Sequence, residues 1–417
     1  MRLTFHGSAM EVGRNCIEVD DKFFLDCGIK FSEEGVEYPN VKDFSKIRAV
    51  FLSHAHLDHS GALPMFNHLG LNCPVYCNSM IKEISKILLK DSYNIEILER
   101  QNPVYSKSNI SNVLGLMENI KYSRDYYKND CVFRFLYSGH IPGSASVLLD
   151  HSGKRLLYTS DINCSGTRLM NASSYKVKDV DVMICEATYG DRNHAPRNEV
   201  EAAFLSKIGE VVENGGSVLI PVFAVGRAQE IMLVLKERKF DCPIYVDGMS
   251  KKITNLLLRK PEFVKEPQEL SRAMQKVKFV NGIKDRQEIV KEQAIVLTTS
   301  GMLDGGPALD YLKYYYYDPK NAILLTGFQT EDSNGRLLLE QRRVYVDGIR
   351  FKVKAFVEKY DFSAHAGRDE LIHLIEQTSP KTLILHHGDP SALHSLYSYF
   401  KDKLHVYVPH IGDKVDV

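Results

Sequence analysis

One short segment, FLSHAHLDHS at residues 51–60, limits the possible folds of this chain more than any other feature. It begins in an apolar run and places His54, His56, Asp58 and His59 within six positions. On an extended chain the two alternating histidines point to the same side, and the other two residues follow at a predicted helix start. Imidazole nitrogens and carboxylate oxygens are the ligands of hydrolytic zinc sites, so the spacing predicts a metal site at the end of a strand. The alternative is a polar loop whose histidines share no ligand.

The rest of the chain predicts an α/β architecture, because short β-branched runs alternate with amphipathic segments. The predicted strands include KFFLDCG, RAVFLSHAH, RLLYTSD and DVMICEATYG. Predicted helices cover residues 79–89, the segment NEVEAAFLSKIGEVVEN with Asn198 as its N-cap, and residues 226–239. A second α/β block starts near His194 and finishes near residue 348. Because no long flexible linker flanks this block, we expect it to be inserted into the first.

Length and composition exclude several classes of protein. A chain of 417 residues with 44% hydrophobic and 25% charged residues can bury a large core in two or three domains, which argues against disorder. The eight cysteines form no CxxC pair, so we expect buried thiols and a cytoplasmic location rather than disulfides or zinc fingers. The sequence shows no signal peptide and no apolar run of membrane-spanning length. Since 53 basic residues balance 53 acidic ones, a polyanion would have to bind to local patches.

A metal site needs further ligands, and three residues at predicted strand ends are candidates. His140 precedes an Ile-Pro-Gly-Ser turn, Asp161 ends the run LLYTSD, and His387 lies in LILHHGD. A single histidine at a strand end is more often a surface or capping group, so none of the three is convincing alone. Together with the loop at residues 51–60, they form an ordered set that predicts one common centre.

These residues carry a resemblance to a known fold. H-A-H-L-D-H, G-H-I-P-G-S and T-S-D, after an early L-D-C-G that contains Asp26, resemble the motifs of the metallo-β-lactamase superfamily. The segments around Glu186 (C-E-A-T-Y-G), His365 (F-S-A-H-A) and His387 (H-H-G-D) resemble the additional motifs of the β-CASP nucleases. The chain looks most similar to bacterial and archaeal homologues of the endonuclease subunit of the cleavage and polyadenylation specificity factor. This resemblance implies a metallo-β-lactamase αββα sandwich at residues 1–190 and 349–417, with an α/β β-CASP domain inserted at residues 191–348.

The resemblance also implies two zinc ions. The implied ligands are His54, His56 and His140 for one ion and Asp58, His59 and His387 for the other, with Asp161 as the bridge. Asp26 would orient a ligand imidazole from outside the ligand set, and an ordinary strand-end aspartate is the alternative. Paired ions would activate a water for in-line attack on phosphorus.

Phosphodiester hydrolysis also needs a proton donor for the leaving oxygen. The resemblance gives this role to His365, paired with Glu186, and includes Asp58 among the catalytic residues. A helix cap at His365 and a structural carboxylate at Glu186 are the alternatives. The implied activity is cleavage of single-stranded RNA by an endonuclease, with 5′-to-3′ exonuclease action left open, and His387 is typical of the RNA enzymes of the family. A DNA nuclease, a small-molecule hydrolase and an inactive scaffold remain as other possibilities.

Several segments suggest contacts with nucleic acid or with a second copy of the chain. The turns GRAQE and TSGMLDGG offer backbone N–H groups to phosphates, or else are ordinary connections. The candidates for phosphate or RNA binding are Ser144, Arg227, Ser300, Gly301 and Ser363. Residues 250–278 carry eight basic against three acidic residues, which suits a nucleic-acid backbone or a solvated helix face. In KYYYYD, residues 313–318, we expect burial of alternating tyrosines rather than base stacking, and the acidic residues of TEDSNGR argue against an anion site in that turn. The C-terminal HVYVPHIGDKVDV resembles the strand through which family members form homodimers.

Overall fold

The computed structural model describes residues 1–32, 35–98, 103–330 and 333–417, so Glu331 and Asp332 of the TEDSNGR turn lie outside the described residues. The described chain divides into two compact units. Unit 1 comprises Met1–Gly166, Ala172–Asn193 and Ala364–Val417, and unit 2 comprises Thr167–Asn171 and His194–Ser363. Unit 2 is therefore nearly continuous in sequence and interrupts unit 1.

The helices and strands follow one another in the order expected of an α/β protein. The first part of unit 1 contains β1 (Arg2–Phe5), β2 (Ile17–Val19), β3 (Phe23–Leu25), β4 (Lys30–Ser32), β5 (Gly35–Glu37), β6 (Ala49–Phe51), α1 (Leu57–Ser60), α2 (Leu63–His68), β7 (Val75–Cys77), α3 (Ser79–Leu98), α4 (Lys107–Leu116), β8 (Met117–Asn119), β9 (Tyr126–Lys128), β10 (Cys131–Tyr137), β11 (Ala145–His151), β12 (Lys154–Tyr158) and β13 (Val182–Glu186). Unit 2 contains α5 (Arg197–Glu213), β14 (Val218–Pro221), α6 (Arg227–Leu235), β15 (Ile244–Val246), α7 (Ser250–Arg259), a 3-10 turn (Pro261–Phe263), α8 (Pro267–Gln275), β16 (Lys278–Phe279), α9 (Ile283–Ile289), β17 (Ile295–Thr298), α10 (Pro307–Tyr315), β18 (Ala322–Leu325), α11 (Asn334–Gln341), β19 (Arg343–Val346), β20 (Ile349–Lys352) and β21 (Phe356–Lys359). Unit 1 ends with α12 (Arg368–Thr378), β22 (Thr382–His386), α13 (Pro390–Phe400), β23 (His405–Tyr407) and β24 (Lys414–Asp416).

Unit 1 contains two large sheets that pack face to face. Their strand orders, over the described residues, are β24-β1-β2-β3-β6-β7-β8 and β23-β22-β13-β12-β11-β10-β9. Phe23 of β3 and Phe133 of β10 lie in one buried cluster with residues of both sheets, so the inner faces form a common core. Side chains on the opposite face of a strand pack against helices instead: Phe24 contacts Phe66 of α2, and Met183 of β13 lies in a second cluster with residues of α12 and α13. The two-residue period of β structure thus gives each sheet one face for the other sheet and one for helices, as in an αββα sandwich.

Unit 2 is built around a parallel sheet. Its strand order, within the described residues, is β16-β15-β17-β14-β18-β21, and the pairings between these neighbours are parallel. The central strands β14, β17 and β18 are buried throughout, as is usual for a parallel sheet with both faces covered. The hairpin of β19 and β20 also belongs to unit 2 but is not part of this sheet. Its residues Val344 and Val346 are buried in a cluster with residues of α10 and α11.

The α/β class predicted from the sequence is confirmed, and one local prediction needs correction. Asn198 is not the N-cap of α5: the helix begins at Arg197 with Pro196 as its N-cap residue, because the extended backbone of Pro196 ends directly before the helix. The insert was expected to end at residue 348, but β21 pairs with β18 in the sheet of unit 2, which continues to Ser363. The domain boundaries at residues 190 and 348 that the resemblance implies stay predictions.

No helix in the described part of the chain is both long and apolar enough to cross a membrane. The eight cysteines are free thiols, and all except the half-buried Cys164 are buried. The cytoplasmic location stays a prediction.

Candidate metal centre

The histidine-rich loop lies between β6 and α1. The strand ends at Phe51, His56 is the N-cap residue of α1, and Asp58 and His59 lie in the first turn of that helix. The chain after β3 packs so closely on this helix that a Cβ atom at Gly28 would lie 1.6 Å from the carbonyl oxygen of Asp58. Glycine is therefore required at this position if α1 is to keep its place beside β3.

The other predicted ligands arrive from the second sheet. His140 follows β10, Asp161 follows β12, and His387 follows β22. These three strands run in the same direction, so their carboxyl ends meet at one edge of the sheet. The sheet topology therefore brings together residues that lie more than two hundred positions apart in sequence.

Four side chains form the first ligand group, which comprises His54, His56, His140 and Asp161. The Asp161 Oδ2 atom lies 3.4 Å from Nε2 of His54 and 3.4 Å from Nε2 of His140. The Nδ1 atom of His56 lies 3.3 Å from Nε2 of His140. Three imidazole nitrogens and one carboxylate oxygen thus point at a common position, which is a donor set that zinc accepts.

The second group uses the other oxygen of the same aspartate. Asp161 Oδ1 lies 3.5 Å from Nε2 of His59 and 3.5 Å from Nδ1 of His387. Asp58 Oδ2 lies 3.7 Å from Nε2 of His59 and 3.6 Å from Nε2 of His387. Because each oxygen of Asp161 faces one group, this carboxylate has the geometry of a bridge between two cations.

Several buried ring nitrogens and one carboxylate oxygen at the centre have no hydrogen-bond partner among the described residues. Buried atoms with no hydrogen-bond partner in the described residues include Nε2 of His54, His56, His59 and His387, and Oδ1 of Asp161. Burial of an unpaired polar atom costs about 1–3 kcal/mol, so a cluster of such atoms is typical of a site that binds an ion or another ligand. A cation that accepts nitrogen and oxygen donors would satisfy these atoms, and the residues therefore fit a metal ion.

The protonation states of the histidines also suit a metal ion. Burial lowers the pKa of both His54 and His140, so these imidazoles are neutral, which is the form that binds metals. Burial also acts to lower the pKa of His59, but the carboxylates of Asp161, Asp58 and Asp26 outweigh it and raise that pKa to about 10. The acidic side chains thus favour positive charge at this position, either as a proton or as a metal ion.

Asp26 holds the imidazole of His59 from behind. Its Oδ2 atom lies 2.7 Å from Nδ1 of His59 and also accepts hydrogen bonds from the hydroxyls of Tyr158 and Ser53, each at 2.7 Å. Its Oδ1 atom accepts the backbone N–H of Ser53 at 2.7 Å. Asp26 is fully buried and its φ of 60° lies in the left-handed region, which costs about 1–2 kcal/mol for a residue other than glycine. These hydrogen bonds hold the carboxylate of Asp26 in one orientation. The carboxylate in turn orients the ring of His59, so that its Nε2 atom is directed at the centre.

The remaining histidines have comparable support. Nδ1 of His54 lies 3.1 Å from the hydroxyl of Ser53, and Nδ1 of His140 lies 3.0 Å from the carbonyl oxygen of Ala364. The backbone N–H of His387 donates to the carbonyl oxygen of Ser8 at 2.9 Å. The ring orientations of His54 and His140 are thus set by contacts outside the candidate ligand groups, and the contact with Ser8 fixes the backbone at His387.

Glu186 and His365 form a pair next to the centre. Nδ1 of His365 lies 3.0 Å from both carboxylate oxygens of Glu186, and its Nε2 lies 4.0 Å from Oδ2 of Asp161. Glu186 is buried and also accepts the backbone N–H of Ile162 at 2.7 Å. Burial opposes protonation of His365, but the charges of Glu186 and Asp161 outweigh it and raise its pKa to about 9. Nε2 of His365 thus faces the candidate ligands, and the neighbouring carboxylates favour the protonated form of its imidazole.

The residues named for phosphate or RNA binding lie in varied environments. Ser144 is buried, and its hydroxyl oxygen accepts the backbone N–H groups of His140 and Ile141, so it braces the turn that carries His140. In unit 2, Arg227 is the first residue of α6, and Ser300 and Gly301 follow β17. Gly301 packs against the backbone of Phe223, and its carbonyl oxygen accepts a hydrogen bond from Gln329. Ser363 ends unit 2, where its carbonyl oxygen accepts a hydrogen bond from Arg197 at 2.7 Å. RNA binding by these residues stays a prediction.

The basic segment at residues 250–278 covers α7, α8 and the start of β16. Several of its cations already have partners: Arg272 contacts Glu269, and Lys276 donates to the carbonyl oxygen of Lys236. The tyrosine run spans the end of α10, where Tyr315 is buried while Tyr314 and Tyr317 are more than half exposed. The expected burial of alternating tyrosines therefore does not describe this run, because a helix buries every third or fourth residue.

Two supporting residues were missed from the sequence. Tyr158 donates to Asp26, and the Asn15 amide lies 3.3 Å from Asp26 Oδ2 and 3.1 Å from Nδ1 of His59. Tyr158 lies in β12 of the second sheet, whereas Asp26 follows β3 of the first. The run of three buried residues that ends β12 does not distinguish its two faces, so the inward position of Tyr158 and its partner across the core follow only from the sheet packing.

Three models of known domains match successive parts of this chain, and known proteins are similar to it along its length. The model of a metallo-β-lactamase superfamily domain matches residues 16–185, that of the Beta-Casp domain matches residues 228–338, and that of a Zn-dependent metallo-hydrolase RNA specificity domain matches residues 350–409. A probable RNase MJ4 of Methanocaldococcus jannaschii is 40% identical over the full length of both chains. The RNase aCSPSF2 of Saccharolobus solfataricus is 35% identical over 99% of this chain and 84% of its own length.

Similarity extends to further proteins. The transcription termination factor FttA of Methanothermobacter thermautotrophicus is 33% identical over 93% of this chain and 67% of its own length. A solved structure of a protein of unknown function from Enterococcus faecalis V583 superposes with a TM-score of 0.59 over 99% of both chains, at 15% identity, which supports the fold alone. The motifs, the three matching domain models and the full-length similarity agree, and the chain belongs to the β-CASP family of the metallo-β-lactamase superfamily.

Proposed function

We propose that this protein is a zinc-dependent ribonuclease that hydrolyses phosphodiester bonds of single-stranded RNA. One observation carries the proposal: Nε2 of His365, backed by Glu186, lies 4.0 Å from the carboxylate that both candidate ligand groups share. A proton donor next to a dinuclear centre suits the cleavage of a phosphodiester, whose leaving oxygen must be protonated. A small-molecule hydrolase of the same fold would leave the inserted domain and the pair of Glu186 and His365 unexplained.

The seven candidate ligands would hold two zinc ions. Nitrogen and oxygen donors in these numbers suit zinc, and each ion would keep a position open for water or substrate. His54, His56 and His140 would bind the first ion, Asp58, His59 and His387 would bind the second, and Asp161 would contact both. When bound, a pair of ions supplies Lewis acidity toward the phosphate and lowers the pKa of a water toward neutrality.

The protein's own residues would orient and move protons around this centre. Asp26 holds Nδ1 of His59, so that Nε2 of the ring stays directed at the centre. Glu186 favours the protonated imidazole of His365, and Nε2 of His365 would give its proton to the departing ribose oxygen. The main contribution of these residues would thus be to hold the imidazoles and carboxylates in fixed orientations.

RNA as the substrate is supported by the relatives, two of which are named as RNases, and by the match to an RNA specificity domain at residues 350–409. A DNA nuclease is the second candidate. An inactive scaffold would be expected to have lost ligands, whereas this chain retains seven.

The experiment that tests the proposal uses labelled single-stranded RNA and DNA with purified wild-type protein and with His365→Ala. Each is incubated with zinc, with a chelator, and with zinc restored after chelation. We expect cleavage of RNA by the wild type, loss of cleavage with chelator, and recovery when zinc returns. RNA that stays intact with zinc present would favour the scaffold, and equal cutting of DNA would remove the assignment to RNA.

We further propose that two copies of the chain pair through their C-terminal strands. β23 and β24 stand at the ends of the strand orders of the two sheets, and each pairs with one neighbouring strand in the described chain. An edge strand offers unpaired backbone groups to a second copy. Sedimentation equilibrium tests this proposal, since a mass of one chain over the working concentration range would reject it.

A further inference from the structure

A small hairpin in unit 2 has an unusual outward face. β19 and β20 pair in antiparallel register, with Arg343 opposite Lys352 and Tyr345 opposite Arg350. Directly opposed residues of an antiparallel pair project to the same face. All four are exposed, while Val344 and Val346 between them are buried, so one face carries three cations and a tyrosine.

Among the residues that the structure describes, no acidic side chain forms an ion pair with these cations. Neither Arg343 nor Lys352 has an ion-pair partner among the residues that the structure describes, although like charges directly opposite one another destabilise a strand pair. The acidic residue of the hairpin turn, Asp347, contacts Lys313 at 2.7 Å instead. The chain therefore maintains a local repulsion that an anionic ligand would relieve.

The same face continues beyond the hairpin. Lys354 lies two residues after Lys352, and its Nζ is 3.9 Å from the ring centroid of Tyr317, which is 60% exposed. At the other end of the face, the guanidinium of Arg350 lies 5.8 Å from the ring centroid of Tyr345, which is 48% exposed. Tyr345 with Arg350 and Arg343 with Lys352 form two tiers that are two residues, or about 7 Å, apart along the strands. Lys354 and Tyr317 follow beyond the end of β20, so a cation lies beside an exposed ring at each end of the face.

The hairpin is rigidly supported. Asn334, the first residue of α11, accepts the backbone N–H of Tyr345 at 2.7 Å and donates to its carbonyl oxygen at 2.8 Å. Val344 is completely buried, and the backbone N–H of Lys354 donates to the carbonyl oxygen of Tyr316 at 2.8 Å. The exposed side chains thus stand on a fixed backbone, which reduces the entropy lost when a ligand binds.

We infer that this cationic face, formed by Arg343, Tyr345, Arg350, Lys352, Lys354 and Tyr317, is a binding surface for single-stranded RNA outside the metal centre. The inference rests on the proposed ribonuclease function. Lysine and arginine would neutralise successive phosphates, and the tyrosine rings would stack on unpaired bases, which is the usual combination for single strands bound without sequence preference. Exposed rings beside the cations at both ends of the face favour a nucleic acid over an acidic protein, because carboxylates offer no flat surface for stacking.

The test compares two triple variants matched in charge and in aromatic content. The first, Arg343→Ala/Tyr345→Ala/Lys352→Ala, removes two cations and one tyrosine from the cationic face. The control, Lys121→Ala/Arg124→Ala/Tyr127→Ala, removes the same residue types from an exposed segment of unit 1, where Tyr127 is 77% exposed. Thermal unfolding of both variants checks that they fold.

Affinity for labelled poly-uridylate is measured by fluorescence anisotropy on zinc-loaded protein carrying His365→Ala, so that the RNA stays intact. We expect the first triple variant to raise the Kd about tenfold or more, since one lost stacking contact alone corresponds to roughly that factor. The slope of log Kd against log salt should fall by about 1.4, from two phosphate contacts at about 0.7 each. The control variant should stay within about twofold of the parent protein.

Equal weakening by both triple variants would show a general charge effect and overturn the inference. Unchanged affinity of the first variant would also overturn it and would direct attention to an acidic protein partner. Cleavage by the wild-type protein is run in parallel. Absence of cleavage rejects the proposed ribonuclease function, whereas the binding comparison still decides whether the hairpin contacts RNA.

Discussion

Replacement of Asp26 by asparagine isolates the contribution of the carboxylate behind the centre. Asp26→Asn keeps the shape of the side chain but removes its charge and one acceptor oxygen. In the wild type, Oδ2 of Asp26 receives three contacts at 2.7 Å, from His59, Tyr158 and Ser53. An amide NH2 in that position would face donors, and an amide oxygen there would leave the NH2 facing the backbone N–H of Ser53. Either orientation leaves at least one buried donor unpaired.

The magnitude follows from these contacts. A hydrogen bond to a charged group contributes about 1.5–3 kcal/mol, and loss of an outer partner of a ligand histidine typically weakens metal binding about 10–100-fold. That factor corresponds to about 1.4–2.7 kcal/mol, in agreement with the hydrogen-bond figure. Because His59 belongs to only one of the two candidate ligand groups, the variant should lose one ion much more readily than the other.

The assay is competition between the zinc-loaded protein and a chromophoric chelator, with elemental analysis of the protein afterwards. We expect two ions per chain in the wild type and about one in Asp26→Asn at a chelator concentration that leaves the wild type loaded. Tyr158→Phe removes a single donor and should cause a smaller loss, of about 0.5–1.5 kcal/mol. Asp247→Asn is the matched control, since Asp247 is a buried carboxylate of unit 2 that accepts hydrogen bonds from Arg286 and Tyr311. It should lower stability without changing zinc affinity, and wild-type zinc affinity in Asp26→Asn would refute the role given to Asp26.

Two other predictions address catalysis and stability. His365→Ala should lower kcat for RNA cleavage about 10²–10⁴-fold with an unchanged zinc content, and a similar loss with a changed zinc content would contradict a role as proton donor. Burial opposes ionisation of Asp361, but the hydrogen bond and charge of His194, whose Nδ1 lies 2.7 Å from its carboxylate, outweigh it and lower its pKa. A lowered pKa means that Asp361 stabilises the fold above its ordinary pKa of about 3.9 and that this contribution disappears as the pH falls. The difference in thermal stability between the wild type and Asp361→Asn should therefore shrink below about pH 4, and a constant difference would contradict this reasoning.

Much of the centre could be predicted from the sequence because its residues lie at strand ends within short motifs. His54, His56, Asp58 and His59 share one loop, so local spacing alone indicates a common ligand. His140, Asp161 and His387 were candidates only as single residues at predicted strand ends, and the family resemblance was needed to assign each to a particular ligand group, because their neighbours in space come from other strands. The structure explains their convergence by the parallel carboxyl ends of β10, β12 and β22.

The failures have equally local causes. Tyr158 was missed because its contact with Asp26 crosses between the two sheets, and sequence patterns report only which face of a strand a residue occupies. Asn15 was missed because it precedes β2 and meets Asp26 only through the pairing of β2 with β3. Ser144 stays a candidate for RNA binding, and its buried hydroxyl accepts two backbone N–H groups of the turn that carries His140. The charged face of the β19–β20 hairpin was overlooked because its cations are separated in sequence and come together only through the register of the two strands.

Anomalous X-ray diffraction at the zinc absorption edge, from crystals of the zinc-loaded protein, measures the central claim most directly. We expect two anomalous peaks about 3.5–4 Å apart, one on each side of the Asp161 carboxylate. The first should be surrounded by His54, His56 and His140, and the second by Asp58, His59 and His387. A single peak, or peaks away from Asp161, would contradict the dinuclear centre from which the proposed chemistry follows.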